Sequence, residues 1–159
     1  MKWTNLKSKI EHKGFKKFGE FHHDETSKMK NNKIIFRSCI TKEEPNDRVY
    51  LWLLIQNDGE SYIIYVGKAS NTIKARMNQH RQGFKGRENG GSLSGGKKRK
   101  LIDSKLKLKN NNKIEIWAKS ISNLELDLDK AESNEITDWK DEKNYWLFLN
   151  QKMPTEFFE

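Results

Sequence analysis

The chain has 159 residues, 34% of them hydrophobic and 33% charged, and carries a net charge of +9. That length fits one domain with a modest core, and 8 Phe, 5 Trp and 4 Tyr exclude a disordered chain, because aromatics carry much burial area per residue. Cys39 is the only cysteine, which excludes an intrachain disulfide framework and a cysteine-based zinc site.

No apolar run approaches membrane-spanning length, and the polar start Met1-Lys2-Trp3-Thr4-Asn5 does not read as a signal peptide. The expectation is a cytoplasmic protein with no membrane partner. Its charge is segregated. Residues 1–48 hold 12 Lys and Arg against 7 Asp and Glu, residues 49–119 hold 15 against 5, and residues 120–159 hold 4 against 10. A basic centre of this kind favours a polyanion.

Residues 1–33 are polar and lysine-rich, with Phe15, Phe18 and Phe21 scattered through them, and suggest a short helix or an arm. His22-His23 is followed by Asp24 and Glu25, but adjacent side chains converge poorly on a metal. Lys33 to Ile40 reads as a strand and Lys42 to Asp47 as a loop. Val49 to Ile55 and Ser61 to Val66 read as two strands of a hairpin turning within Gln56 to Glu60, centred on Asn57-Asp58 or on Asp58-Gly59. One register sets Tyr50 across from Tyr65, and another sets Trp52 there instead.

The second strand runs into Gly67-Lys68-Ala69, a turn whose backbone amides suit an anion. Ser70 or Asn71 then caps a helix to about Gly83, with Ile73, Met77, His80 and Phe84 inward and Arg76 bordering that stripe. Residues 83–96 hold six of the ten glycines and lead into Lys97-Lys98-Arg99-Lys100; with Arg81, Lys85 and Arg87 these make a basic flap suited to a polyanion. Leu101 to Leu108 suggests a helix, Lys113 to Ala118 a third core strand, and Ile121 to Asp129 an acidic linker. A last helix is expected from Thr137 to about Asn150. On it Glu142 shares the apolar face of Trp139, Tyr145 and Trp146, where an unpaired carboxylate is costly and calls for a partner.

Tyr65-Val66-Gly67-Lys68-Ala69, Arg76 four residues before His80, and a late Glu142 eight before Asn150 together resemble the GIY-YIG nuclease superfamily over about residues 48–154. Within it the chain looks most like the restriction-enzyme and phage endonuclease branch. The first signature falls on Arg48-Val49-Tyr50, so its glycine is absent, and the hairpin is longer than usual. The resemblance implies an α+β fold with a small, mainly antiparallel three-stranded sheet, built from hairpin 49–66 and strand 113–118 and flanked by helices. Residues 1–47 would be an N-terminal extension offering DNA or dimer contacts, and residues 48–159 the nuclease domain.

It further implies a Mg²⁺-dependent endonuclease that cleaves double-stranded DNA by water attack, with Mn²⁺ a substitute. The implied catalytic set is Tyr50, Tyr65, Lys68, Arg76, His80 and Glu142. Glu142 would hold the metal, and Arg76 would fork onto phosphate oxygens. The base is Tyr50 with its pKa lowered by Lys68 or His80, or His80 itself, or Trp52 stands at the aligned position. A restriction enzyme would be a homo-oligomer, whereas a phage-type enzyme could nick. The other reading is a non-catalytic nucleic-acid-binding module on the same scaffold.

Overall fold

The run Val49 to Ile55 is buried at every position, as a strand is when both faces of its sheet are covered. The computed structural model describes residues 3–24, 33–44, 47–84, 113–121 and 128–139. These form α1 (Trp3–His12), β1 (Lys16–Asp24), β2 (Lys33–Ser38), β3 (Asp47–Ile55), β4 (Ser61–Lys68), α2 (Ile73–Phe84), β5 (Lys113–Ser120) and α3 (Leu128–Trp139). The strands make one sheet in the order β2-β1-β5-β3-β4, and every neighbouring pair is antiparallel. The class is α+β as expected.

The sheet has five strands among the described residues, not three. The added strands come from the first 47 residues, where β1 pairs with β5 and so continues the sheet. β1 lacks the alternation that marks a strand, and a bulge is the reason. Its register against β5 shifts between Lys17 and Gly19, so Phe18 is an extra residue. Phe18 and Phe21 therefore join one face with Tyr50 and Trp52, while Phe15 joins the other with Leu6 and Ile10. Gly19 admits the Phe36 ring of β2, which a Cβ would meet at 2.6 Å.

Two cores follow. On one face Ile73 and Met77 of α2 pack over Tyr50, Trp52, Leu54, Ile64 and Tyr65. On the other, Leu6 and Ile10 of α1 and Trp139 of α3 cover Val49, Leu51, Leu53 and Ile63. α1 ends where Gly14 takes φ +93°, with Gly14 N–H on Glu11 O at 3.0 Å and Phe15 N–H on Ile10 O at 3.3 Å. That double bond is the Schellman pattern, and it turns the chain into β1.

Helix α3 covers Leu128 to Trp139 and so takes in Thr137 to Trp139, the first residues of the expected last helix. The expected acidic linker ends inside this helix. Residues 140–150, the glycine-rich loop beyond Phe84 and the helix expected over 101–108 lie outside the described residues.

A charged cluster joins β1 to β5. Glu20 stands directly opposite Glu115, which is 2% exposed. Lys17 Nζ lies between them, 2.5 Å from Glu20 Oε1 and 3.0 Å from Glu115 Oε2. His22 Nε2 sits 2.8 Å from Glu20 Oε2, so His22 serves this cluster. Burial alone would raise the Glu20 pKa, but Lys17, then His22 and Lys113, hold it below the ordinary glutamate value. A folded-state pKa below the ordinary 4.5 gives stability that is present above that pH and is lost as pH falls through the folded value. Glu20→Gln is expected to flatten the acid limb of a thermal-melting series taken from neutral to acid pH. A limb as steep as that of the parent would contradict the assignment.

Candidate active site

The hairpin register decides which rings meet. Gly59 at φ +88° closes a tight turn, with its N–H on Gln56 O at 3.0 Å and the Gln56 N–H on Glu60 O at 2.8 Å. From that turn the ladder pairs Ile55 with Ser61 and Leu53 with Ile63, then slips one residue and pairs Trp52 with Tyr65 and Tyr50 with Gly67. The slip makes Ile64 a bulge. It sends Ile64 and Tyr65 to the same face, beside Tyr50 and Trp52. Of the two registers open to the sequence, the one with Trp52 across from Tyr65 is adopted.

Gly67 opposite Tyr50 is needed for space and not for conformation. A Cβ there would overlap the Tyr50 ring and hydroxyl and stand 2.7 Å from Tyr65 Cε1. The two phenol rings lie 5.9 Å apart over that gap.

Helix α2 brings the next two groups. Its true cap is Thr72, whose Oγ1 accepts the Ala75 N–H at 3.1 Å, and not Ser70 or Asn71. Ile73 and Met77 anchor the helix in the core and turn His80 inward. His80 is 2% exposed and Tyr50 0%. Tyr50 Oη and His80 Nε2 are 2.7 Å apart, a buried hydrogen bond. Arg76, one turn earlier, is partly buried, and its charge acts on both phenols. Its Nη1 also donates to Gln79 Oε1 at 3.0 Å.

The electrostatics correct one expectation. The Tyr50 phenol is not lowered by Lys68 or His80. Burial pushes it well above its ordinary range, Tyr65 adds to the rise, and Arg76 opposes it only in part. Burial raises Tyr65 as well, against Arg76. Tyr50 is therefore a protonated donor in the free protein. Its O–H can donate to Nε2 when the His80 proton sits on Nδ1. Lys68 is turned away to an ion pair with Asp129 on α3.

Helix α3 supplies a carboxylate that the sequence analysis passed over. Glu132 is partly buried, and burial raises its pKa, while Lys68 and then Arg76 draw it down. Its charge is also felt at Tyr65. Tyr50, Tyr65, Arg76 and His80 thus share one place, and the charges of Glu132 and Lys68 are felt beside it. A signal existed: Glu132 is four residues after Leu128 and four before Ile136, on an apolar stripe. Glu142 lies outside the described residues, as do Lys85, Arg87, Lys97, Lys98, Arg99 and Lys100. Arg81 is partly buried on α2.

The anion-binding turn is also corrected. The Ala69 N–H donates to Arg48 O at 2.8 Å and so extends the ladder. The Ile73 and Lys74 amides at the start of α2 are taken by the Glu43 carboxylate, the second at 3.3 Å. Glu43 is itself the anion at this helix end.

No family model, curated protein or solved structure matches the chain. What the site can do follows from its own chemistry. A guanidinium, an ammonium and a carboxylate around a buried phenol–imidazole pair suit an anionic ester. Among the described residues no three His, Cys, Asp or Glu converge, so a metal here would rest on Glu132. One carboxylate, completed by water and phosphate oxygens, is a donor set that fits Mg²⁺.

Two outcomes are expected. Gly67→Ala should overpack the site, cost about 1–3 kcal/mol in denaturant unfolding and displace the Tyr50 ring. A variant as stable as the parent would contradict the close approach. A phenol whose folded pKa is raised above 10.0 loses stability as pH rises past that value, because only the unfolded form ionises. Tyr50→Phe should therefore reduce the alkaline loss of stability, and an unchanged alkaline limb would count against the buried phenol.

Proposed function

We propose that the chain is a Mg²⁺-dependent DNA endonuclease of the GIY-YIG kind, hydrolysing phosphodiesters by water attack. The observation that carries this reading is the buried Tyr50–His80 hydrogen bond with Arg76 and Glu132 beside it. A core residue pair would need no cation and no partly buried carboxylate at its rim.

The proposed chemistry assigns each group one task. A water gives its proton to the Tyr50 oxygen as the Tyr50 proton passes to His80 Nε2; the water oxygen bonds to phosphorus while the bond from phosphorus to the leaving ester oxygen breaks, and that oxygen departs as an alkoxide that takes a proton from solvent. No free tyrosinate is required, which suits a phenol with a raised pKa. Arg76 forks onto the non-bridging oxygens as charge grows there. Tyr65 orients water or phosphate. Lys68 exchanges Asp129 for DNA phosphate. Glu132 would hold Mg²⁺, which supplies charge neutralisation and help to the departing oxygen. The basic stretch 97–100 would bind the duplex backbone, giving salt-sensitive affinity. A restriction enzyme of this type would act as a homo-oligomer.

Purified protein with plasmid DNA and Mg²⁺ is expected to cut it, and chelation should stop cutting. Arg76→Ala should lower the rate about 100- to 1,000-fold while the fold is retained by circular dichroism. Glu132→Gln should abolish cutting. Glu142→Gln tests the carboxylate first expected from sequence, and a dead Glu142 variant beside an active Glu132 variant would reassign the metal ligand. Salt-sensitive DNA binding with no cutting in Mg²⁺ or Mn²⁺ would replace this reading by the non-catalytic one.

A further inference from the structure

Trp52 takes no part in the chemistry above, yet it is fully buried against it. It stands directly across the ladder from Tyr65, with the rings 4.7 Å apart and tilted by 36°. Its indole meets the His80 imidazole nearly at right angles, 73° at 4.8 Å. Phe21 of β1 packs on it in turn, at 81° and 5.0 Å. Tyr65 meets His80 at 82° and 5.4 Å. His80 is thus walled by two rings of the sheet while Nε2 faces the Tyr50 hydroxyl.

A plain core tryptophan would account for the burial, and edge-to-face contact is ordinary aromatic packing. What singles Trp52 out is its neighbour, the imidazole whose Nε2 meets the Tyr50 hydroxyl, which it approaches more closely than Tyr50 or Tyr65 does, 4.8 Å against 6.0 and 5.4 Å. The terminal torsion of histidine is broad and nearly two-fold, so an unwalled ring can turn and exchange one nitrogen for the other. A flat wall at right angles removes that freedom. The bulge at Ile64 is what brings Trp52 across from Tyr65, so the wall is a product of the hairpin register.

We propose that Trp52 is a positioning residue that locks the His80 imidazole on the Tyr50 hydroxyl and so fixes which nitrogen receives the proton. Its kinetic consequence rests on the nuclease reading; its structural consequence does not.

The test uses the full chain with Trp52→Leu, which removes the wall, and Trp52→Phe, which keeps a flat ring. Nitrogen NMR of the His80 ring across pH reads the tautomer. The parent and Trp52→Phe should show one tautomer with two well-separated ring-nitrogen shifts, and Trp52→Leu should show averaged shifts and a moved titration midpoint. Single-turnover cleavage should fall about 100-fold in Trp52→Leu, with its pH profile moved and DNA affinity unchanged, and Trp52→Phe should recover most of the rate. Parent-like ring shifts and pH midpoint in a folded Trp52→Leu protein would overturn the proposal. So would averaged shifts in Trp52→Phe, an arm that stands even where the leucine variant does not fold. A parent protein that cuts no DNA would end the nuclease reading and leave the ring spectra to decide this one.

Discussion

The buried hydrogen bond between Tyr50 and His80 is the constraint on which the rest of the site depends. A phenol and an imidazole withdrawn from water each need a partner, and each is the other's. Satisfying them together fixes the depth of α2 against β3. It also dictates what must stand across the ladder: Gly67, because any side chain there would occupy the Tyr50 ring. Three residues further back, the Ile64 bulge turns Tyr65 to the same face. Hairpin register, bulge and glycine are three local features serving one bond.

Charge is arranged around that bond in two layers. Arg76 is the inner cation, beside both phenols. Lys68 is the outer one, held by Asp129. Glu132 lies near both cations, which keep its carboxylate from rising as far as burial alone would take it. The start of α2 is closed off by Glu43 and Thr72, which take the amides of Ile73, Lys74 and Ala75. A phosphate arriving here would therefore find side-chain cations and a phenol, not a bare helix end, in keeping with the proposed role of Arg76.

Much of this was legible in the sequence. The hairpin, the third strand and the inward histidine follow from alternation, turn chemistry and helical spacing, and these are local signals. What failed depended on contacts distant in sequence. β1 was hidden because its bulge breaks the period of two at Phe18 and because its apolar residues find partners on β5, about a hundred residues later. The register could not be chosen between Tyr50 and Trp52 because a single bulged residue decides it. Glu132 was missed for another reason. Its helix begins at Leu128, inside the stretch read as an acidic linker, so no helical face was drawn through it. The direction of the Tyr50 pKa shift was also beyond sequence, since burial, which no motif records, outweighs the nearby cation.

The central claim is that Tyr50 and His80 act as one unit in moving a proton during phosphodiester hydrolysis. A double-mutant cycle measures this directly, using single-turnover cleavage of DNA by the parent, Tyr50→Phe, His80→Ala and the double variant. Groups that act as a unit are strongly non-additive. The account predicts that each single variant loses most of the activity and that the double variant is no slower than the slower single. Single-variant losses that multiply in the double variant, or a Tyr50→Phe enzyme that cuts like the parent, would contradict it.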